Sequence, residues 1–454
     1  MPSLHGSLVN SHTQILLLSV IIFLTFGMYI SITNIGNGGQ ESLQAASYGN
    51  LAQNLTCMLS GPFMGGLVNY FGPRWTVLIS AVPFALYTAS LLAYPYIQSG
   101  VFIIVAGALL GVGSAGVWTP QGIFANNYVG MRAKGAAISF FFIINALSGV
   151  LAGALVLGMN FKAEATAIST ATYAAFLGLG VTGIALSLGL VDITKVRLPD
   201  GSVVRVDKFV GWRTELRDLL HATVAPRMLV MAPFLVASQW YSPYQFNGYN
   251  AYFFNVRSRG ANLLFYRLAS IASAFVCSWL LDRTVWTVRR RGLVVWLLIT
   301  VLFVGSWAGG LYVQFTDPST AGQRPPHIDI ATGRYWALWP IFTIWGFIDI
   351  ANNAIILWLI GCLSPQANTV ALYTGAMIAW QSLGQAVPWA IDASGVNYRV
   401  QCAISAVLGV VGLGSLLVAS IQLPDRTEYF GQESRLAIDR LELFKRLNVD
   451  PGFD

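Results

Sequence analysis

Residues 65–75 read GGLVNYFGPRW. Apolar runs flank this stretch at 46–69 and 75–94. Each is long enough to cross a hydrocarbon layer about 30 Å thick as a helix. Between them lie the residues a short turn needs. Paired glycines at 65 and 66 let helices approach closely. Gly72-Pro73 forces a tight turn, and Arg74 anchors it at the membrane face. The stretch reads as the bend of a membrane-spanning helical hairpin.

Further apolar runs of similar length extend outward from it. With 46–69 and 75–94, the helices predicted in the first half are 14–33, 101–125, 136–158 and 169–190. Those in the second half are 228–249, 262–281, 292–314, 337–361, 368–390 and 398–422. The polar stretch 191–227 separates six helices from six. The chain therefore divides into an N-terminal tail (1–13), a six-helix bundle (14–190), a central loop (191–227), a second six-helix bundle (228–422) and a C-terminal tail (423–454). Such doubling is the layout of carriers made of two repeated halves.

Composition agrees. Hydrophobic residues make up 55% of the 454-residue chain, and charged residues 10%, against roughly 25% charged in soluble domains. The partner this implies is the lipid bilayer. The net charge of +7 does not point to nucleic acid, because the basic residues lie between apolar runs, where they set topology. If both termini are cytoplasmic, 19 of the 26 Lys and Arg fall in cytoplasmic loops and tails, which is the orientation the positive-inside rule selects. Cys57, Cys277, Cys362 and Cys402 lie in or beside apolar runs without metal-ligand spacing and read as small buried hydrophobes. The four histidines, His5, His12, His221 and His327, form no cluster. No nucleophile elbow, P-loop or metal set is present, so neither an enzyme, a cofactor nor ATP-driven transport is expected from this chain. FVGWRTELRDLL (209–220) and SRLAIDRLELFKRL (434–447) are amphipathic. They fit helices lying on the inner leaflet or, less directly, a surface for a membrane-protein partner.

The 65–75 stretch resembles the short cytoplasmic signature of the major facilitator superfamily, matched at Gly66, Gly72 and Arg74. Asn69 stands where that signature usually has Asp. A weaker echo, CSWLLDRTVWTVRRRG, puts Asp282 and Arg283 in the corresponding loop of the second half. FGMYISITNIGNGGQ, GALLGVGSAGVWTPQG and SPYQFNGYNAYFFNVRSRGAN are similar to the Unc-93-like branch, particularly its fungal members, over nearly all of 14–422. The resemblance implies an all-α membrane fold of two six-helix bundles around a central cavity. It implies less about activity, since that branch includes an ion-channel regulatory subunit and a receptor-trafficking chaperone beside transporters. Helix 4 lacks the basic residue of many proton-coupled members, and helix 5 lacks a Gly-Pro motif.

Two ionisable residues fall deep within predicted helices: Asp349, near the centre of helix 10, and Arg267, in helix 8. A charge at that depth costs several kcal/mol and usually faces a bundle interior or wet cavity. The functional reading is a pair coupling gating to a small-molecule or ion substrate. The alternatives are a static interior pair, or an arginine extended to the membrane surface. Asn352 and Asn353 follow one turn after Asp349 and supply amides for an ion or polar solute, or for helix packing. Trp118, Thr119 and Gln121 surround Pro120, a candidate kink in helix 4. Trp240, Tyr244, Asn247 and Asn250 make one polar-aromatic stripe at the end of helix 7, mirrored by Asn34, Asn37 and Gln40 at the end of helix 1. The stripe also fits a plain interfacial aromatic belt. Glu41 reads as a solvated surface carboxylate, and the sequon at Asn54 lies inside a helix. The pairs Gly61/Gly65, Gly107/Gly111, Gly149/Gly153 and Gly305/Gly309 have the spacing of helix-packing faces. The function expected is a secondary carrier for a small solute; a non-transporting regulatory or chaperone subunit is the alternative.

Overall fold

The computed structural model describes residues 9–40, 44–128, 134–161, 167–192, 195–197, 212–283, 285–321, 326–363 and 367–423. Glu41, Arg132 and the amphipathic tail segment 434–447 lie outside them, as do the side chains of Gly66 and Asn69.

Among the described residues twelve helical segments traverse the molecule. In the first half they are α1 (Ser11–Ile35), α2 (44–71), α3 (73–97), α4 (Val101–Asn127), α5 (Lys134–Met159) and α6 (Thr170–Ser187). In the second they are α7 (Pro226–Trp240, continued by a π-helix at Tyr244–Ala251), α8 (Val256–Leu281), α9 (Val288–Thr316), α10 (Gly333–Leu363), α11 (Ala367–Ala393) and α12 (Tyr398–Ile421). Each half has its own core. One is built around Leu18, Ile32, Phe84, Leu110 and Phe176, the other around Phe234, Tyr249, Phe303, Trp345 and Leu416. The outward surface stays apolar, with Leu59, Val105, Phe275, Val301 and Val407 more than half exposed, as helices facing lipid require.

Eight of these segments are long and apolar enough to cross a membrane on that measure alone. The remaining four, α2, α5, α7 and α11, include those that line the junction between halves. They carry polar side chains such as Asn50, Gln53, Gln381 and Asp392, of which Asp392 bonds across to Ser47 of the other half.

The hairpin of α2 and α3 breaks at one residue. Gly72 has φ +78°, which an L side chain rarely adopts, and helix resumes at once, with Thr76 Oγ1 donating to the Gly72 carbonyl at 2.9 Å. Arg74 lies over the Trp75 ring, 5.5 Å from its centroid. In the matching loop Arg283 covers Trp279 at 3.8 Å, and Asp282 is exposed at the end of α8. The glycine pairs divide into two groups. A Cβ on Gly107 or Gly111 would strike the α2 backbone at 2.3 or 2.1 Å, and one on Gly153 would strike α8. Gly61 and Gly305 face open space, so helical spacing alone does not make them packing residues.

α4 runs on through Pro120 to Asn127 without ending there. Helix 7 changes to π geometry over Tyr244–Ala251. The short helix Trp212–Thr223 meets α7 at 76° and seats Leu219 against Gly375 of α11. Trp380 Nε1 holds its end by donating to the Thr223 carbonyl at 3.2 Å.

Candidate functional site

The helix packing that builds the site is tight. A Cβ on Gly346 of α10 would lie 2.3 Å from the Tyr266 carbonyl of α8, and Ser270 Oγ donates to the Gly346 carbonyl at 2.8 Å. The Tyr266 hydroxyl and the Arg267 guanidinium thereby come within reach of Asp349, which is half-buried about midway along α10. The two opposite charges act on one another but form no ion pair within 4.0 Å.

Arg267 is 7% exposed, so it is not extended to the membrane surface. Its helix starts at Val256, six residues before the predicted start, which puts Arg267 about three turns deep. The N-terminus of α8 is capped by Asn255 Oδ1, which accepts from the Ser258 N–H at 3.1 Å. Arg267 reaches into the first half. With its amide oriented to suit both neighbours, Asn34 donates to the Ile30 carbonyl at 3.0 Å and accepts from Arg267 Nη2. Gly149 of α5 makes room, because a Cβ there would lie 2.5 Å from Arg267 Cγ. The guanidinium also stands 5.5 Å from the Tyr266 ring centroid.

Asn352 Nδ2 donates to the Tyr241 hydroxyl at 2.6 Å. Asn353 turns aside, donating to the Asp349 carbonyl at 2.9 Å and accepting from Gln381 at 3.3 Å. Arg267 Nε, Asn352 Oδ1 and, in the first half, Gln121 Oε1 are buried without a hydrogen-bond partner. Buried polar atoms without partners carry a desolvation penalty, and these offer both donor and acceptor capacity. Trp118 packs edge-on against Phe26 at 4.9 Å.

The residues of the helix 7 stripe meet different neighbours along its length. Trp240 and Tyr244 line one crevice with Pro388, Ile391 and Gln401. Tyr244 is inside the second core, its hydroxyl donating to Gln314 Oε1 at 3.0 Å. Asn247 and Asn250 turn to the first half. The wider π turn changes the residues-per-turn count on which the stripe depends.

A second polar cluster lies at the distal end of the bundle, opposite the central loop and termini. Here α1 runs out through Gly36, Asn37, Gly38 and Gly39, all at positive φ, and docks on the π-helix. The Asn37 N–H donates to Asn247 Oδ1 at 2.8 Å, and Asn250 Nδ2 donates to the Asn34 carbonyl at 3.2 Å. Asn247 Nδ2 donates to Asp392 Oδ2 at 2.7 Å, and Ser47 of α2 donates to the same oxygen. Arg259, fully buried, donates to the carbonyls of Phe254, Ala251 and, across the junction, Gln40 at 3.1 Å. Sequence reasoning missed Asp392 and Arg259 by ending helix 11 at 390 and starting helix 8 at 262. Two signals were present: Gly395 as a C-terminal glycine, found at φ +72°, and Asn255 as a capping residue.

Outside the membrane segments, Arg257 bonds Asp329 through two nitrogens, Asn255 Nδ2 also donates to it, and the Ala331 N–H reaches Asp329 Oδ1 at 2.8 Å. The Arg257 hydrogen bonds, chiefly, push the Asp329 carboxyl down to about 2. A depressed carboxyl stabilises the fold fully above its unfolded value of about 4 and loses that contribution as pH falls toward 2. Unfolding temperature measured from pH 5 to pH 2 is expected to fall less steeply for Arg257→Gln than for the wild type.

A model of the family UNC-93, described as an ion channel regulatory protein, matches residues 44–246. An UNC93-like protein of Schizosaccharomyces pombe is 31% identical over 414 residues, covering 90% of this chain and 81% of its own. UNC93-like protein 1 of Arabidopsis thaliana is 30% identical over 408 residues, covering 89% of each chain. Among solved structures, the nucleoside transporter NupG superposes with TM-score 0.62 at 12% identity, covering 90% of this chain and 99% of that one. The D-xylose-proton symporter gives 0.62 at 13% identity, covering 92% and 98%. Those likenesses fix the fold, an integral multi-pass bundle of the major facilitator type. The sequence relatives fix the family: the chain belongs to the UNC-93-like proteins.

Proposed function

We propose that this protein is a secondary carrier that moves a small polar solute by alternating access. The observation that carries the reading is the central cluster. Asp349 and Arg267 hold opposite charges near the bilayer midplane without closing on each other, and Arg267 Nε and Asn352 Oδ1 beside them lack partners. A static packing device satisfies its buried groups; a binding site keeps some for its ligand. The Lys and Arg bias supports cytoplasmic termini, which puts the closed distal end away from the cytoplasm. The test is flux of radiolabelled polar solutes and of K⁺ into vesicles holding the purified protein. Saturable flux is the expected result; its absence across a broad panel, with the protein folded, contradicts the reading.

A regulatory subunit is the second reading. The helix Trp212–Thr223 favours it, with Leu216 and Leu220 exposed beside exposed Arg213 and Arg217, as does the family description. Co-purification of another membrane protein in fixed stoichiometry, without flux, supports that reading instead.

A further inference from the structure

We infer that Asp392 is a proton-binding site whose ionised form latches the two halves together at the distal end. The inference rests on the carrier reading only for its place in a transport cycle; the latch itself is read from the contacts.

Asp392 is 8% exposed, and Ser47, Asn247 and Gln401 around it are 2%, 2% and 5% exposed. All its hydrogen-bond partners are donors. Ser47 Oγ and Asn247 Nδ2 share Oδ2, and Gln401 Nε2 donates to Oδ1 at 3.3 Å. The Asn247 amide cannot turn over without loss, because its oxygen already accepts from the Asn37 N–H. Ser47 belongs to α2 and Asn37 to the exit of α1, both in the first half, whereas Asp392, Asn247 and Gln401 belong to the second. A single carboxylate thus closes a chain of bonds across the junction: Asn37 to Asn247, Asn247 to Asp392, and Ser47 to Asp392.

No cation balances this charge among the described residues. From α2 and the π-helix the facing groups are the neutral Ser47 and Asn247. From α12 they are Gln401 and the titratable Tyr398. Arg259 donates to the three backbone carbonyls. Arg399 turns to Thr320 Oγ1 at 2.9 Å. A buried carboxylate with donors but no cation is favoured by its hydrogen bonds and opposed by desolvation. It has no acceptor waiting for an added proton.

The chemistry of opening follows. A proton from water on the distal side bonds to Asp392 Oδ2, and the cluster goes from one negative charge to none. The new O–H meets two donors. Ser47 must rotate its hydroxyl to accept, and the Asn247 N–H gives up its shorter bond to Oδ2, keeping the longer one to Ser47 Oγ at 3.3 Å. The bond from Ser47 across the junction weakens, and so does the bond from Asn247 that steadies the amide gripping Asn37; a hydrogen bond to a charged group is stronger than its neutral counterpart. Loss of the proton restores the latch.

The experiment uses no solute, so its outcome is independent of whether the protein carries one. Spin labels are placed on Tyr96→Cys and Ser394→Cys, exposed positions at the distal end of the two halves, after replacement of the four native cysteines. Distances are measured by pulsed electron resonance at pH 8 and pH 5. The wild type is expected to show the short separation at pH 8 and a growing long one at pH 5. Asp392→Asn, which keeps the shape and removes the charge, is expected to raise the open-to-closed ratio roughly tenfold at pH 8, the scale of one charged hydrogen bond, and to lose the pH response. Ser47→Ala, a milder change, is expected to raise the open fraction at both pH values while keeping the response. Asp349→Asn is expected to keep it too. A wild type insensitive to pH, or an Asp392→Asn variant that still responds, overturns the inference.

Discussion

Gly36→Val is expected to keep the distal end from closing. Gly36 has φ +90°, and a Cβ there would lie 2.1 Å from the Phe246 carbonyl and 2.7 Å from Ala251 Cβ, both in the other half. A β-branched residue is strained at that φ by sterics alone, and strain of this kind costs on the order of 1–3 kcal/mol. The clash adds to it, because the obstacle is backbone, not a flexible side chain. The clash does not weigh on a form in which the halves are parted at this end, so it biases the equilibrium toward that form. The same spin-label pair reads the effect: the long separation is expected to dominate at all pH values, whereas a wild-type distance distribution contradicts the interface described for Gly36.

Arg267→Met is expected to destabilise the protein by about 3–5 kcal/mol, the scale on which removal of one member of a buried charge pair acts. The substitution leaves Asp349 without its counter-charge and strips the Asn34 side chain of its bond from Arg267. The double variant Arg267→Met with Asp349→Asn is expected to recover much of the stability, since no lone charge remains, but no transport. Thermal unfolding in detergent, with flux measured in parallel, checks both halves of that statement. A single variant as stable as the wild type shows that the two charges do not depend on one another.

The fold was largely legible because membrane crossing imposes one strong rule, a long apolar run, and the chain obeys it. Gly72-Pro73 located the hairpin turn correctly, and Asp349 stood out by charge alone. Three features were not legible, each for a physical reason. The π-helix at Tyr244–Ala251 leaves no composition signature distinct from an α-helix, so the change of geometry along the helix 7 stripe could not be read. Asp392 and Arg259 fall where hydropathy declines at helix ends, and there a polar residue reads as loop until the opposing half is in view. Pairing between halves was beyond reach altogether: nothing in sequence spacing links Asn37 to Asn247, 210 residues away.

Asp349→Asn preserves size and removes only the charge and its interplay with Tyr266 and Arg267. Solute flux is to be compared between wild type and this variant in vesicles, at matched protein content and across a range of pH. The account predicts saturable flux in the wild type and its loss, or loss of its pH dependence, in the variant. Wild-type flux left unchanged in rate and pH profile by Asp349→Asn would contradict the central site.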